Sequence, residues 1–142
     1  RGDGAHLLDL MLSQGIKLSL IATDDAHFRS NDFFGGWVEV KSENNSSEEL
    51  LSSLKQGNFY SSQGPKIYDL NINKQGFSIQ TSPVCSVILV GYGSTSIVKH
   101  GNSMTETNIT FPEGAESPWV RIIAIDQNGK KAWTNPIWSN DL

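Results

Sequence analysis

Residues 67–90, IYDLNINKQGFSIQTSPVCSVILV, decide the fold of this chain. Their first part alternates apolar and polar side chains, which is typical of a β-strand with one buried face. Residues 73–76 form a turn signal, after which Phe77 and Ile79 begin a return strand. Residues 84–90 predict a further, apolar strand. The stretch therefore predicts consecutive strands joined by short turns, as in antiparallel β-structure.

Strand signals continue to the end of the sequence, at residues 97–98, 107–111, 119–125 and 131–137. Residues 127–130, Gln-Asn-Gly-Lys, are a strong hairpin signal. Pro136 predicts that the last strand lies at a sheet edge, because proline cannot donate a ladder hydrogen bond. About seven short strands with turns every ~8–12 residues are typical of an immunoglobulin-like sandwich. We therefore expect a β-sandwich domain over residues 67–142.

Helix signals are confined to residues 1–66. Apolar side chains recur at helical spacing over residues 5–14, and Gly15 follows as a C-terminal cap. Residues 46–49 form a capping box for a second helix, which Gly57 should end.

Two strands complete this first part of the chain. Residues 17–23 predict a short strand buried on both faces, and residues 37–41 alternate as a half-buried strand should. We therefore predict two domains, 1–66 with mixed helix and strand and 67–142 as a sandwich. The predicted fold class is α+β and mostly β.

The most informative site candidate is the octet at residues 20–27, Leu-Ile-Ala-Thr-Asp-Asp-Ala-His. In barrels and doubly wound sheets, catalytic groups lie where a buried strand ends. Asp25 and His27 are two residues apart, so on an extended backbone they point to the same side and can converge on one cation. A carboxylate with an imidazole suits Zn, Mn or Fe better than Ca.

The same pair has a less specific interpretation. Asp-x-His pairs are common by chance, a strand-end aspartate often caps a turn, and two ligands cannot close a catalytic metal site. Of the other possible ligands, His6 lies in a helical pattern, His100 beside a turn signal and Cys85 in an apolar stretch. Either there is no metal site, or the chain is the tail of a longer protein.

Further segments follow the octet in a characteristic order: GGWVEV at 35–40, SEELL at 47–51, GNFYSSQGP at 57–65, WVR at 119–121, DQNG at 126–129 and AWTNPI at 132–137. Together with the octet they resemble the C-terminal part of a PHP-family phosphoesterase. More narrowly, the chain is similar to the branch with an appended all-β tail, often described as metal-dependent phosphoesterases or phosphotransferases.

The resemblance implies a fold and an activity. PHP domains are distorted seven-stranded βα barrels that hold two or three divalent metals. Their ligands are an early His-x-His pair, mid-chain Glu and His residues, and a final Asp-x-His, which alone has a match here, at Asp25 and His27. Residues 1–66 would then be the end of a barrel, packed on a part of it that precedes Arg1. The resemblance further implies a divalent cluster (Mn, Zn or Fe) in the intact parent, a phosphorylated small-molecule substrate, and an inactive isolated chain.

Four further residues are candidates beside the pair. The resemblance implies that Asp24 is an acceptor that orients His27 or Arg29, although a turn cap is equally consistent with its position. Arg29 is a candidate for contact with the substrate phosphate. The hydroxyls of Ser61 and Ser62 could line a phosphate site, or belong to a structural turn that leads into the sandwich.

Composition predicts a soluble, ordered domain. The chain has 142 residues, a net charge of −4 and a pI near 5.2, so it has no basic footprint for nucleic acid. No apolar run approaches the ~18 residues of a membrane span. The single cysteine excludes an internal disulfide and leaves the compartment open. The tripeptide at residues 1–3, Arg-Gly-Asp, spells an integrin-binding motif, but a match this short carries no weight.

The alternative function is a stand-alone sandwich that binds carbohydrate or protein, with residues 1–36 as a leader. Trp119, Trp133 and Trp138 would form its aromatic platform. Large aromatic side chains in a sandwich are more often core. Trp133 and Trp138 are five residues apart, so on a regular strand they would face opposite sides, which weakens the platform.

Overall fold

The computed structural model describes residues 4–114 and 116–142, so the Arg-Gly-Asp tripeptide lies outside the described residues. Strands hold 43% of the residues and helices 16%, which confirms that the chain is mostly β. The helices are α1 (Ala5–Ser13) and α2 (Ser47–Gln56), and a short 3-10 helix covers Ser139–Asp141. The strands are β1 (Trp37–Val40), β2 (Phe59–Ser62), β3 (Ile67–Asn73), β4 (Gly76–Gly91), β5 (Ser96–Thr110), β6 (Trp119–Ile125), β7 (Lys131–Thr134) and β8 (Ile137–Trp138).

Within the described ranges, eight strands form one antiparallel sheet in the order β1-β2-β7-β6-β4-β3, with β5 also on β4 and β8 on β6. The 16-residue strand β4 pairs with β3 along its first half and with β6 along its second half. This change of partner curls the sheet, and Pro83 lies where the β4–β5 register shifts, as expected for a residue that cannot donate to a ladder. Because β2 pairs with β7, the sheet crosses the domain boundary predicted after residue 66.

The inner face of the curl holds the main core. It is built from alternate residues of the central strands, as the two-residue period of a strand requires. The fully buried members include Ile79, Val84, Val87, Leu89, Ile122 and Ala124. Their burial fixes the register of β4 and β6, since a slip by one residue would turn these side chains outward.

The outer face of the sheet is covered by α1. Leu8 and Leu12 of the helix pack against Trp119, which is 1% exposed. Arg121, two residues further along β6, is 3% exposed and donates from Nε and Nη2 to the two carboxylate oxygens of Asp9, both at 2.7 Å. The helix is therefore attached to the sheet by an apolar contact and a bidentate ion pair. Neither α-helix of the described ranges is long and apolar enough to cross a bilayer.

The helix termini agree with the sequence analysis. Gly15 follows α1 with φ +81°, and the N–H of Gly15 donates to the Leu12 carbonyl at 2.9 Å. The Ser46 side chain accepts from the N–H of Glu49 at 3.3 Å, and Gly57 ends α2 with φ +77°. The glycines predicted to end both helices and the Ser46 half of the capping box are therefore confirmed. The Ser46 N–H donates to Asn44 Oδ1 at 2.9 Å and not to the Glu49 side chain, so the second half of the box does not form.

The strand assignments need correction in two places. The strand predicted over residues 17–23 is wrong, because this segment has no regular secondary structure. The signals read as separate strands on either side of Pro83 belong to one long strand, β4, and those at 97–98 and 107–111 belong to β5. Turn residues inside a pattern do not end a strand when a neighbour continues the ladder through a bulge.

Candidate functional site

The octet, which we call the arm (residues 20–27), crosses the outer face of the sheet. The N–H of Leu20 donates to Asn135 Oδ1 at 2.9 Å, and the carbonyl of Leu20 accepts from Ser61 Oγ at 2.7 Å. The N–H of Ala22 donates to the same Ser61 hydroxyl at 2.9 Å. Side chains of β2 and of the segment after β7 therefore take the place of ladder bonds and attach the arm to the sheet.

The opposite edge of the arm is open. Within the described part of the chain, the N–H groups of Ile21 and Thr23 have no hydrogen-bond partner. Exposure alternates from residue 20 to residue 27, and the side chains of Ile21, Thr23, Asp25 and His27 are the exposed ones. Ile21 is 60% exposed although it is apolar. The arm thus has one edge hydrogen-bonded to the sheet, while on the other edge Gly36 lies beside the Thr23 carbonyl and the N–H groups of Ile21 and Thr23 make no hydrogen bond with the described residues.

Asp25 and His27 lie in a tight turn at the end of the arm. Asp25 has φ +52°, so its backbone is left-handed and not extended, unlike the geometry assumed from the sequence. In this turn the Nδ1 atom of His27 lies 2.8 Å from the Asp25 carbonyl oxygen. The side chain of His27 is 65% exposed, and the exposed carboxylate of Asp25 has no partner among the described residues.

Two other carboxylates organise this turn. Asp24 accepts from the N–H of Phe34 at 2.8 Å and from that of Ala26 at 3.3 Å. Asp32 accepts from the N–H of His27 at 3.1 Å and from that of Phe28 at 3.2 Å. The contacts of Asp24 are those of the turn cap considered in the sequence analysis. Asp32 was missed there, and its only sequence signal is a short polar side chain five residues after His27.

Three phenylalanine residues follow within seven positions of His27. Phe28 and Phe34 are each 80% exposed, and the Phe33 ring lies 6.2 Å from the first and 5.6 Å from the second, centroid to centroid. Phe28 and Phe34 have φ values of +56° and +59°, which few L-residues adopt. The hydrogen bonds of Asp24 and Asp32 hold both in place, so the loop presents an apolar ridge beside the imidazole.

The remaining candidates lie apart from this turn. Ser61 and Ser62 are 0% and 1% exposed. Ser61 holds the arm, while Ser62 Oγ donates to the Pro65 carbonyl at 2.7 Å and accepts from the N–H of Gly64 at 2.9 Å. The Ser62 hydroxyl therefore has the contacts of the structural turn, which was the alternative to a phosphate site, and the Ser61 hydroxyl is used to attach the arm. Arg29 is exposed and makes no ion pair with the described residues.

The other potential metal ligands are not gathered at the arm. His100 Nδ1 lies 2.8 Å from Ser86 Oγ, and Cys85 Sγ donates to the Asp126 carbonyl at 3.2 Å, both near the middle of β4. Over residues 4–114 and 116–142, no three His, Cys, Asp or Glu side chains come together as a metal group.

A cleft of about 470 Å³ runs along the arm on the side of the sheet. Trp133 is among its lining residues, together with Lys130, Lys131 and Asp24, whereas Asp25 and His27 do not line it. The candidate metal ligands Asp25 and His27 therefore lie outside this cleft, next to its lining residue Asp24.

The three tryptophans of the alternative function do not form an exposed platform. Trp119 is 1% exposed and lies opposite Trp138 across the β6–β8 pair. Trp138 packs against the Leu8–Leu12–Trp119 cluster, and Lys17 Nζ lies 5.3 Å from its ring centroid. Two of the three rings therefore serve the packing of α1.

Comparison of the chain with protein-family models, with curated proteins and with solved structures gives no match in any of the three.

Proposed function

We propose that the chain is the C-terminal part of a PHP-type metal-dependent phosphoesterase, to whose divalent cluster Asp25 and His27 contribute ligands. One observation carries the proposal. At the end of an arm with alternating exposure, the Asp25 carboxylate and the His27 imidazole are both exposed, and the ring is held by the backbone at 2.8 Å. A histidine that ligates a metal commonly has its other ring nitrogen fixed in this way.

The donors present fit a transition metal better than calcium. A carboxylate oxygen and a neutral imidazole nitrogen suit Zn, Mn or Fe. Asp25 would bind through its carboxylate and His27 through a ring nitrogen, while further ligands would come from residues that precede Arg1. When bound, such a cluster lowers the pKa of a bridging water and neutralises charge on phosphoryl oxygens.

The open edge of the arm supports a neighbour on that side. The unpartnered N–H groups of Ile21 and Thr23 would pair with a preceding barrel strand, and the exposed Ile21 side chain would be buried by it. Helix α1 points to the same arrangement, since Leu7, Leu10 and Met11 form a second apolar stripe that is 65%, 49% and 38% exposed. A helix that is apolar on two faces normally packs between two layers.

The remaining candidates take smaller roles in this proposal. Asp24 would maintain the turn that carries the ligands and would not itself orient the imidazole, because its oxygens accept from Ala26 and Phe34. Arg29, exposed two residues after His27, would contact the phosphate of a phosphorylated small-molecule substrate. The carbohydrate- or protein-binding alternative has less support, because Trp119 and Trp138 are used in packing.

The test is hydrolysis of generic phosphate mono- and diesters by the chain expressed with the coding sequence that precedes Arg1, with Mn, Zn or Fe added. We expect activity in that protein and negligible activity in the 142-residue chain alone. Asp25→Ala and His27→Ala should lose more activity than the about 10–100-fold typical of outer-shell changes. His6→Ala, at an exposed histidine of α1, is the matched control and should retain activity.

Three outcomes would contradict the proposal. The first is a preceding coding sequence without a His-x-His pair followed by ~150 or more residues of alternating strand and helix, as a barrel needs. The second is wild-type activity in the Asp25 and His27 variants. The third is robust turnover by the 142-residue chain, since two ligands cannot complete a catalytic metal site.

A further inference from the structure

The imidazole of His27 is fixed through one of its two ring nitrogens. Nδ1 lies 2.8 Å from the carbonyl oxygen of Asp25. A carbonyl oxygen only accepts, so Nδ1 must be the donor in this hydrogen bond. A neutral imidazole has one N–H, and the free lone pair is then on Nε2. The contact therefore selects the Nδ1–H tautomer and leaves Nε2 as the ring atom that can bind a cation.

The backbone that carries this ring is held by Asp32. Its Oδ2 accepts from the N–H of His27 at 3.1 Å, and its Oδ1 accepts from the N–H of Phe28 at 3.2 Å. The Asp32 side chain is 15% exposed, so it belongs to the interior of the loop. Two consecutive amides bound to one carboxylate fix the direction in which the imidazole leaves the backbone.

The turn around His27 needs such support. Asp25 and Phe28, which lie on either side of it, both have left-handed backbones, with φ +52° and +56°. Few L-residues adopt this conformation unless their surroundings hold them there. The Asp25 carbonyl reaches the ring within this turn, and Asp32 Oδ2 itself lies 3.9 Å from Nδ1. Asp32 can therefore favour the Nδ1–H tautomer both by holding the turn and by its charge.

We propose that Asp32 is a positioning residue for His27. Its carboxylate holds the turn in which the Asp25 carbonyl fixes the Nδ1–H tautomer, so that Nε2 is the ligating atom. The use of Nε2 as a ligand rests on the proposed function, whereas the tautomer and its dependence on Asp32 do not. Partners of this kind are commonly needed for full metal affinity, because they orient the ring and fix its tautomer.

A long-range ¹H–¹⁵N NMR spectrum of the ¹⁵N-labelled chain tests the tautomer directly. The measurement is made in alkaline buffer, on the neutral form of the ring. We expect His27 to carry its proton on Nδ1. His6 is the internal reference, because it is exposed and has no partner among the described residues, and a free neutral imidazole favours Nε2–H.

The Asp32→Ala variant tests the positioning role. We expect the His27 ring signals to move to those of His6, that is, loss of the Nδ1–H preference in favour of Nε2–H. Asp126→Ala is the matched control, since the Asp126 carboxylate also accepts two loop amides, at 2.8 and 2.9 Å, but in the β6–β7 turn. Asp126→Ala should leave the tautomer of His27 unchanged. In the intact protein, Asp32→Ala should weaken metal binding by about 10–100-fold, and Asp126→Ala should not.

Two results would overturn the inference. One is a wild-type His27 that carries its proton on Nε2, as His6 does. The other is an Asp32→Ala chain in which the His27 tautomer is unchanged. If the tautomer responds to Asp32 as expected but the intact protein neither binds metal nor hydrolyses phosphoesters, the positioning inference stands and the proposed function fails. The two proposals are therefore separated by measurement.

Discussion

At the scale of single residues, the Asp9–Arg121 pair is the polar contact that matters most for α1. The guanidinium is 3% exposed and Asp9 is 26% exposed, and two 2.7 Å bonds join them. Removing one member of a buried pair leaves an uncompensated charge, which is costly. The Nη1 atom of Arg121 is already buried without a partner, so the guanidinium has no second acceptor available among the described residues.

We expect Asp9→Ala to lower the free energy of unfolding by about 3 kcal/mol, the low end for a buried pair because Asp9 is partly solvated. Urea unfolding measures the change. Asp141→Ala is the control, since the Lys17–Asp141 pair is 3.7 Å long and mostly exposed. Asp141→Ala should lower the free energy of unfolding by less than about 1 kcal/mol. Equal losses in the two variants would contradict a buried role for Asp9.

A second residue-scale prediction concerns Tyr60, whose hydroxyl accepts from the N–H of Ile67 at 3.1 Å. Burial raises the pKa of this phenol above its ordinary value of 10.0, against the opposing effect of the Ile67 hydrogen bond. The unfolded chain therefore loses the tyrosine proton first, and stability should fall as pH rises from about 10 to the higher folded-state pKa.

Tyr60→Phe should abolish the decrease in stability at high pH that comes from Tyr60. At neutral pH it should lower the free energy of unfolding by about 1 kcal/mol, because the Ile67 amide loses its acceptor. Urea unfolding of both proteins from pH ~7 to pH ~11 measures the difference. The difference in unfolding free energy between the wild type and Tyr60→Phe should become smaller as pH rises. A gap that stays constant across this range would show that the phenol has the same pKa in the folded and unfolded states.

At the scale of elements, the arm depends on Ser61. Its buried hydroxyl donates to the Leu20 carbonyl and accepts from the N–H of Ala22. Ser61→Ala leaves both groups without these partners, at a cost of about 1–3 kcal/mol if they stay buried. The arm can instead detach from the sheet.

We therefore expect the Ala22 amide to exchange with deuterium markedly faster in Ser61→Ala than in the wild type, while the amides of β4 and β6 keep their protection. Hydrogen exchange followed by NMR gives the rates residue by residue. Ser62→Ala is the neighbouring control, because Ser62 bonds the turn at Gly64 and Pro65 and not the arm. Unchanged exchange at Ala22 would mean that Ser61 does not hold the arm.

The elements also show how far sequence reasoning extends. Local signals were sufficient for the ends of α1 and α2, because Gly15, Ser46 and Gly57 act within one helical turn. The apolar run at 17–23 was misread as a strand, because whether a segment pairs depends on its neighbours and not on its own pattern. In the structure its bonds go to the side chains of Ser61 and Asn135, 39 and 115 residues away from the amides they bind.

The candidate site was predictable in part. Asp25 and His27 were found from their residue types and their place after an apolar run. Their geometry was not, because the left-handed turn at Asp25 replaces the extended backbone that was assumed. Asp32 was not found either, since a loop aspartate that binds amides looks the same in sequence as one that is solvated.

At the scale of the whole molecule, the sheet is covered on both faces, whereas part of the arm and of α1 is exposed. One face of the sheet encloses the apolar core and the other is covered by α1 and the arm. On the arm and on α1, apolar side chains such as Ile21 and Leu7 remain exposed. This asymmetry is what a β-rich tail docked on a preceding metal domain would show, and it supports the proposed function, which rests on Asp25 and His27.

The central claim is that Asp25 and His27 hold a divalent metal in the intact protein. Its most direct test is the metal content per chain, measured by elemental analysis after dialysis against metal-free buffer. We expect the protein that includes the sequence before Arg1 to retain Mn, Zn or Fe, and the Asp25→Ala, His27→Ala double variant to retain less. Equal metal content in a correctly folded double variant would contradict the claim.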